Sequence, residues 1–182
     1  MKKNLYGTLA IDLGNTNTVV AFQDQENINS ILVEIPNITS SPGVIPTAVW
    51  FEETSKILKI GTGALKMKDK PNSDLFFHSN FKRLIGNPIE KIHQKNILNP
   101  NECGETFFKF LWASIPEQYE VKRLILTAPI DTYKGYREWL VNLCEDISVD
   151  EIALVDEPTA ASLGINVPFG SKIMTLDIGG ST

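Results

Sequence analysis

The chain has 182 residues, 42% apolar and 21% charged, so it can bury a core and does not have the composition of a disordered tail. Seventeen basic against 22 acidic residues give a net charge of −5, which argues against a dedicated nucleic-acid binder with its basic face. The two cysteines, Cys103 and Cys144, form neither a CxxC pair nor a staple framework and fit reduced, intracellular thiols.

Met1-Lys2-Lys3 has the charge of a signal-peptide start, but Asn4, Thr8 and Asp12 interrupt the apolar run that would have to follow. No stretch approaches the ~20 apolar residues of a membrane span. A cytoplasmic protein without membrane or nucleic-acid partners is the expectation.

Residues 6–12 (YGTLAID) form a short apolar run ending in an acid. A turn at Gly14-Asn15 leads to residues 16–23 (TNTVVAFQ), so the two runs predict an antiparallel hairpin. Residues 29–35 read as a third strand stopped by Pro36. The stretch 37–99 is richer in Gly and Pro, with a strand expected at 47–52 and helical pieces at 62–68 and 79–85. Lys59, Lys66, Lys68 and Lys70 lie close together there and read as a solvated face. This stretch is expected to be a smaller, inserted subdomain.

The last third alternates. Residues 100–114 predict a helix opened by Asn99 or Pro100, with Phe107, Leu111 and Trp112 toward one side. A strand at 121–127 stops at Pro129. Tyr136, Trp139, Leu140, Leu143 and Ile147 then recur at helical spacing. A strand at 151–155 precedes Asp156, which can cap a short helix with Pro158 in its first turn. Residues 172–177 predict a last strand. The pattern is mixed α/β.

Two segments share a design. Asp12 is followed by Gly14, Asn15, Thr16 and Asn17, and Asp177 by Gly179, Gly180, Ser181 and Thr182. Tight turns of small residues let backbone N–H groups approach a phosphate. An acid beside them can hold Mg²⁺ through water, because this ion keeps much of its hydration shell. A strand-end Asp before Gly is also an ordinary turn. A third acid, Glu157, follows Asp156: the pair suits a helix N-terminus, or it joins Asp12 and Asp177 at one cleft where strand ends converge. His78 and His93 have no partner at metal-ligand spacing and read as packed or surface residues. Phe107, Phe108, Phe110 and Trp112 read as core and near-core packing.

IDLGNTNTVV at 11–20 resembles the first phosphate loop of the DnaK-type 70-kDa heat-shock chaperones. IPN at 35–37, IPTAVWF at 45–51, FKRLIG at 81–86 and LTAP at 126–129 are similar to later segments of that family, as is DEPTAASLG at 156–164. Arg137 falls where the family has an arginine eight residues after the proline, and LDIGGST at 176–182 resembles the start of the second phosphate loop. The resemblance implies an actin-like (ribonuclease H-like) ATPase fold: a mixed sheet with flanking helices and a small inserted subdomain. It implies lobe I only, with one subdomain at 1–36 plus 100–182 and the inserted one at 37–99. The chain is thus expected to be a piece of a longer protein that also carries a second lobe and a peptide-binding domain.

By that resemblance the ligands are ATP or ADP with Mg²⁺, and the partners of the full-length protein are unfolded peptide clients and co-chaperones. Asp12 and Asp177 would hold the hydrated metal. Gly14, Asn15, Thr16 and Asn17, with Gly179, Gly180 and Ser181, would line the phosphates. Glu157, Asp177 and Thr182 would act at the reacting end, and Pro129 and Arg137 would form a switch. Asn15 stands where the family has threonine, and Ser181 where it has a third glycine. A lysine is expected after the alanine of Gly61-Thr62-Gly63-Ala64, but Leu65 is there and Lys66 comes one place later. Hydrolysis is therefore expected to be slow. Two other readings stand beside this one: a small-molecule kinase of the same superfamily, because IDLGNTNT also resembles one class of pantothenate kinases, and a nucleotide-binding regulatory protein without turnover.

Overall fold

A computed structural model describes residues 5–87, 98–129, 134–165, 168 and 170–175. The protein is α/β, with a mixed sheet flanked by helices. Strand β1 (Leu5–Leu13) turns back into β2 (Asn17–Asp24), and the two pair antiparallel from Gly7↔Asp24 to Leu13↔Thr18. This is the hairpin that the Gly14-Asn15 turn predicts. On its other edge β1 pairs parallel with β8 (Tyr119–Ala128), and β8 pairs parallel with β9 (Glu151–Asp156). The main sheet runs β3-β2-β1-β8-β9, with β3 (Ile31–Leu32) and β4 (Val44–Pro46) both on β2. A second sheet of three strands joins β6 (Ile57–Ile60), β5 (Ala48–Glu52) and β7 (Phe77–Ser79).

Strand alternation sets the core. Leu9, Ile11 and Leu13 on β1, Val20 and Phe22 on β2, and Leu124 and Leu126 on β8 are buried. Helix α3 (Pro100–Ala113) packs Cys103, Phe107, Phe108 and Leu111 into the same cluster, with Phe110 and Trp112 partly buried against it. Its start is fixed by a capping box: the Glu102 N–H donates to Asn99 Oδ1 at 3.0 Å and the Asn99 N–H to Glu102 Oε2 at 2.8 Å, with Pro100 next. Helix α4 (Lys134–Leu143) adds Tyr136, Leu140 and Leu143. A smaller cluster of Ala48, Trp50, Ala64 and Met67 joins β5 to the short helix α1 (Gly61–Leu65). Lys59, Lys66, Lys68 and Lys70 are exposed, as a solvated face requires.

Several expectations need correction. The strand read at 29–35 shrinks to the two residues of β3, paired with Ala21 and Phe22; Val33 adds one bond, its N–H donating to the Val20 carbonyl at 3.0 Å, but its own carbonyl accepts from the Gly43 N–H instead of continuing that ladder. The helix read at 79–85 is a 3₁₀ turn at Lys82–Leu84 that follows β7, and a short helix, α2 (Ser73–Phe76), precedes that strand. β4 and β6 were not legible as strands: each has three or four residues, too few to show alternation. Residues 172–175 carry no strand, and the rest of that predicted element lies outside the described residues, as do His93, Asp177, Gly179, Gly180, Ser181 and Thr182. No helix among the described residues is long and apolar enough to cross a membrane.

Two predictions follow from burial. Cys103 is 2% exposed, and desolvation with the nearby Glu102 charge pushes its thiol up to about 12, while burial also raises the Cys144 thiol. Neither thiol should react with an Ellman-type disulfide in the folded protein, and both should react on unfolding. His78 is 3% exposed, and burial lowers its pKa below the ordinary 6.5. The unfolded chain then binds more protons below about pH 6.5, so stability falls as pH drops from there, by at most about 1.4 kcal/mol per pH unit from this group. His78→Leu should flatten that limb of a denaturation-against-pH profile.

Candidate phosphate site at the carboxyl ends of the parallel strands

The parallel register brings the ends of β1, β8 and β9 to one edge. Ile11 lies opposite Leu126, and Ala128 opposite Asp156. The alternation that buries Ile11 and Leu13 leaves Asp12 exposed, and Thr127 Oγ1 donates to its Oδ1 at 2.6 Å. The turn after Asp12 is tight: the Gly14 N–H reaches the Asp12 carbonyl at 3.1 Å. A Cβ at Gly14 would stand 2.1 Å from the Asn17 carbonyl oxygen, so only glycine closes this loop. Thr16 and Asn17 are exposed beyond it.

Asn15 has a different place from the one its position in the loop predicts. Its side chain is buried, with Nδ2 donating to Asn80 Oδ1 at 3.1 Å and Oδ1 accepting from the Arg83 N–H at 3.4 Å. The amide, where the resembled family has threonine, ties the loop to the FKRLIG segment. The main chain of that segment is held at its far end as well. Gly86 has φ +78°, its N–H donates to Asn101 Oδ1 at 2.9 Å, and its carbonyl oxygen would be 2.4 Å from any Cβ at Gly135. Two glycines therefore let the 3₁₀ turn and the start of α4 meet backbone to backbone.

This placement delivers a lysine that spacing did not find. Lys82 Nζ pairs with Glu157 Oε1 at 2.6 Å, with the two side chains only 11% and 23% exposed. The lysine expected near Leu65 is not at the site: Leu65 is exposed on α1, and Lys66 lines a separate groove with Asn37, Lys59 and Phe110. The expectation that neither Leu65 nor Lys66 supplies a lysine to these strand ends agrees with this placement; the lysine found beside Glu157 is Lys82. The signal was present in FKRLIG, but a lysine in a 3₁₀ turn has no periodicity to mark it.

Asp156 does not cap with its side chain. It stands at the N-cap of α5 (Glu157–Gly164), yet its carboxylate is paired with the Arg137 guanidinium of α4. Glu157 begins the helix, where an anion suits the N-terminal partial charge. Arg137 and Asp156 thus join α4 to the β9–α5 junction, and Pro129 directly follows β8. Tyr136, read only as one of the apolar positions of α4, is 2% exposed, and the Lys82 ammonium lies 5.5 Å from its ring centroid. Burial first, then the negative fields of Glu157 and Asp12, push its phenol well above the ordinary tyrosine range.

Among the described residues no cluster of three or more His, Cys, Asp or Glu could cage a metal directly. The oxygen groups that are present, Asp12 and Glu157, suit a hard cation held through its own water. Among the described residues no cluster of histidines or cysteines gathers there that would favour a transition metal.

No family model matches the sequence. The chain is similar over 96% of its length to curated DnaK chaperone proteins. It is 30% identical over 181 residues to that of Metamycoplasma hominis, 28% over 179 to that of Mycoplasmopsis synoviae and 27% over 180 to that of Thermosipho melanesiensis. It spans 28% to 29% of the length of these relatives. This similarity supports an Hsp70-like family for the chain, matched over part of each relative.

Proposed function

We propose that the chain is the phosphate- and Mg²⁺-binding lobe of the nucleotide domain of a divergent DnaK-type chaperone, with the actin-like ATPase fold. The observation that carries this reading is that Asp12 and the Lys82–Glu157 pair lie at the carboxyl ends of strands of one parallel set, in a chain similar to DnaK proteins along nearly its whole length. Crevices at such strand ends are where open α/β sheets take their ligands.

In this reading Asp12 and Asp177 hold the hydrated cation, which neutralises phosphate charge when bound. The Gly14 turn and Thr16 face the phosphates, with Gly179, Gly180 and Ser181 opposite. Glu157 orders water near the reacting end with Thr182, and Lys82 supplies the positive charge that spacing sought at Leu65. An ammonium aimed at a phosphoryl group stabilises charge that grows during transfer. With Lys82 in place, the case for a protein without turnover loses its main support. Pro129 and the Arg137–Asp156 pair would report the state of the site along α4. Clients and co-chaperones would be met by the parts of a longer protein.

The experiment is nucleotide binding to this chain, at millimolar concentrations if needed, with and without Mg²⁺. Asp12→Asn should weaken Mg²⁺-dependent ADP binding by about 10-fold or more, the scale of one charge-assisted contact. Equal binding in both proteins would show that the acid is only a turn residue. Leu65→Lys should leave affinity unchanged, whereas Lys82→Met should lower it by about 10-fold. The reverse order would return the lysine role to α1.

A further inference from the structure

The 3₁₀ turn at Lys82–Leu84 starts without a cap of its own: Phe81 stands at the N-cap and has no side-chain oxygen to offer the first N–H groups. The oxygen comes from the loop after β1. Asn15 directly follows Gly14, and its Oδ1 accepts from the Arg83 N–H at 3.4 Å, across 68 positions of sequence. That N–H belongs to the peptide unit joining Lys82 to Arg83. The carbonyl of the same unit accepts from the Ile85 N–H at 3.1 Å. A planar peptide bonded at both ends constrains the direction in which the Lys82 Cα presents its side chain. Asn80 keeps the Asn15 amide turned toward Arg83, because its Oδ1 accepts from Asn15 Nδ2 at 3.1 Å. Asn80 itself has φ +56°, a left-handed conformation that asparagine tolerates. The tip of Lys82 is held separately, by Glu157 at 2.6 Å. The base of the lysine is thus referenced to the loop and its tip to the start of α5.

We infer that Asn15 is a positioning residue: it caps the Lys82 turn from the loop after β1 and so sets the lysine relative to the main chain of that loop. The inference deepens the phosphate-binding reading and rests on it for the ligand. The Asn15 side chain is buried against the turn and does not itself line the phosphates. It acts on an anionic oxygen through Lys82. Asparagine suits this work better than the threonine of the resembled family. It is the stronger cap, and its amide holds an acceptor and a donor on separate atoms, one for Arg83 and one for Asn80. An anion then meets the main chain of the Gly14 turn and the Lys82 ammonium as one preset arrangement. Without the cap, the loop and the lysine take their places independently.

The first test needs no ligand. Lysine acylation by N-hydroxysuccinimidyl acetate is read site by site by mass spectrometry. Lys82, with 11% of its side chain exposed and its ammonium on Glu157, should react slowly, and the exposed Lys59 and Lys70 fast. Asn15→Ala should raise Lys82 acylation about 3- to 10-fold, the scale of one hydrogen bond, and leave Lys59 and Lys70 unchanged. Cys103 closed to an Ellman-type disulfide shows that the variant is folded. If Asn15→Ala does not fold, Asn80→Gly takes its place, since glycine accepts the left-handed backbone at that position and only the amide is lost. It should shift Lys82 in the same direction. Unchanged Lys82 acylation, or an equal rise at all three lysines, overturns the inference. A ligand arm measures binding of Mg²⁺ with the imido analogue of ATP to the wild type, the cap variant, Lys82→Met and the double variant. Loss of the cap should weaken binding about 3- to 10-fold with Lys82 present and less than about 2-fold with methionine there, a split that a merely structural role would not produce. Equal losses in both backgrounds would mean that Asn15 acts on the loop or the ligand directly, and overturn the inference. If the wild type does not bind the analogue at all, or Asp12→Asn binds it equally well, the phosphate reading fails instead, and the acylation comparison alone decides whether Asn15 positions Lys82.

Discussion

The parallel register of β1, β8 and β9 is the constraint on which the rest of this molecule depends. It is fixed from Leu5↔Tyr119 through Ala128↔Asp156, with one irregularity between Gly7 and Thr8. A slip of one residue would exchange the faces of every side chain along a strand. Leu124 and Leu126 would leave the core, and Thr127 would no longer meet Asp12. Burial of the aliphatic face therefore enforces the polar geometry at the strand ends. The sheet needs no polar interaction to hold Asp12 and Glu157 at one edge; the hydrophobic alternation does so.

A second level of order comes from segments that cross that edge. The FKRLIG stretch is anchored by Asn15 at one end and by Gly86 against Asn101 and Gly135 at the other. Between these anchors stands Lys82, joined to Glu157 across 75 positions of sequence. A pair this sheltered pays for desolvation on both sides, so its net contribution to stability is modest, while loss of one partner alone leaves a poorly solvated charge. Its value is positional. It sets a cation and an anion at fixed places at the edge where the tight Gly14 turn also lies.

Elements with length and a clear period were legible from the sequence. The capped α3, the β1–β2 hairpin, β8 and the apolar positions of α4 follow from local patterning, and so does the mixed α/β class. What was not legible depended on contacts between distant segments. β4 and β6 exist because neighbours offer ladders to three or four residues. Asp156 finds Arg137, and not its own helix, because α4 passes near, which local capping rules do not know. Tyr136 takes the buried core position that its spacing predicts, while the contacts of the Asn15 side chain with Asn80 and Arg83 come from a segment 65 or more positions away and could not be read locally. Lys82 was overlooked because a lysine was sought by spacing on a helix, whereas the one that pairs with Glu157 stands in a turn.

The joint between Gly86 and Gly135 has a mechanical consequence. Where side chains meet, a small displacement can be lost in a change of rotamer. Two bare backbones have no such slack: a Cβ at Gly135 would lie within 2.4 Å of the Gly86 carbonyl oxygen, and one at Gly86 within 2.3 Å of the Gly135 carbonyl carbon. The turn that bears Lys82 and the helix that bears Arg137 are coupled there as two rigid parts in contact. The main chain of the turn at Gly86 and that of the helix at Gly135 bear directly on each other, and bulk added on either side of the joint separates the parts.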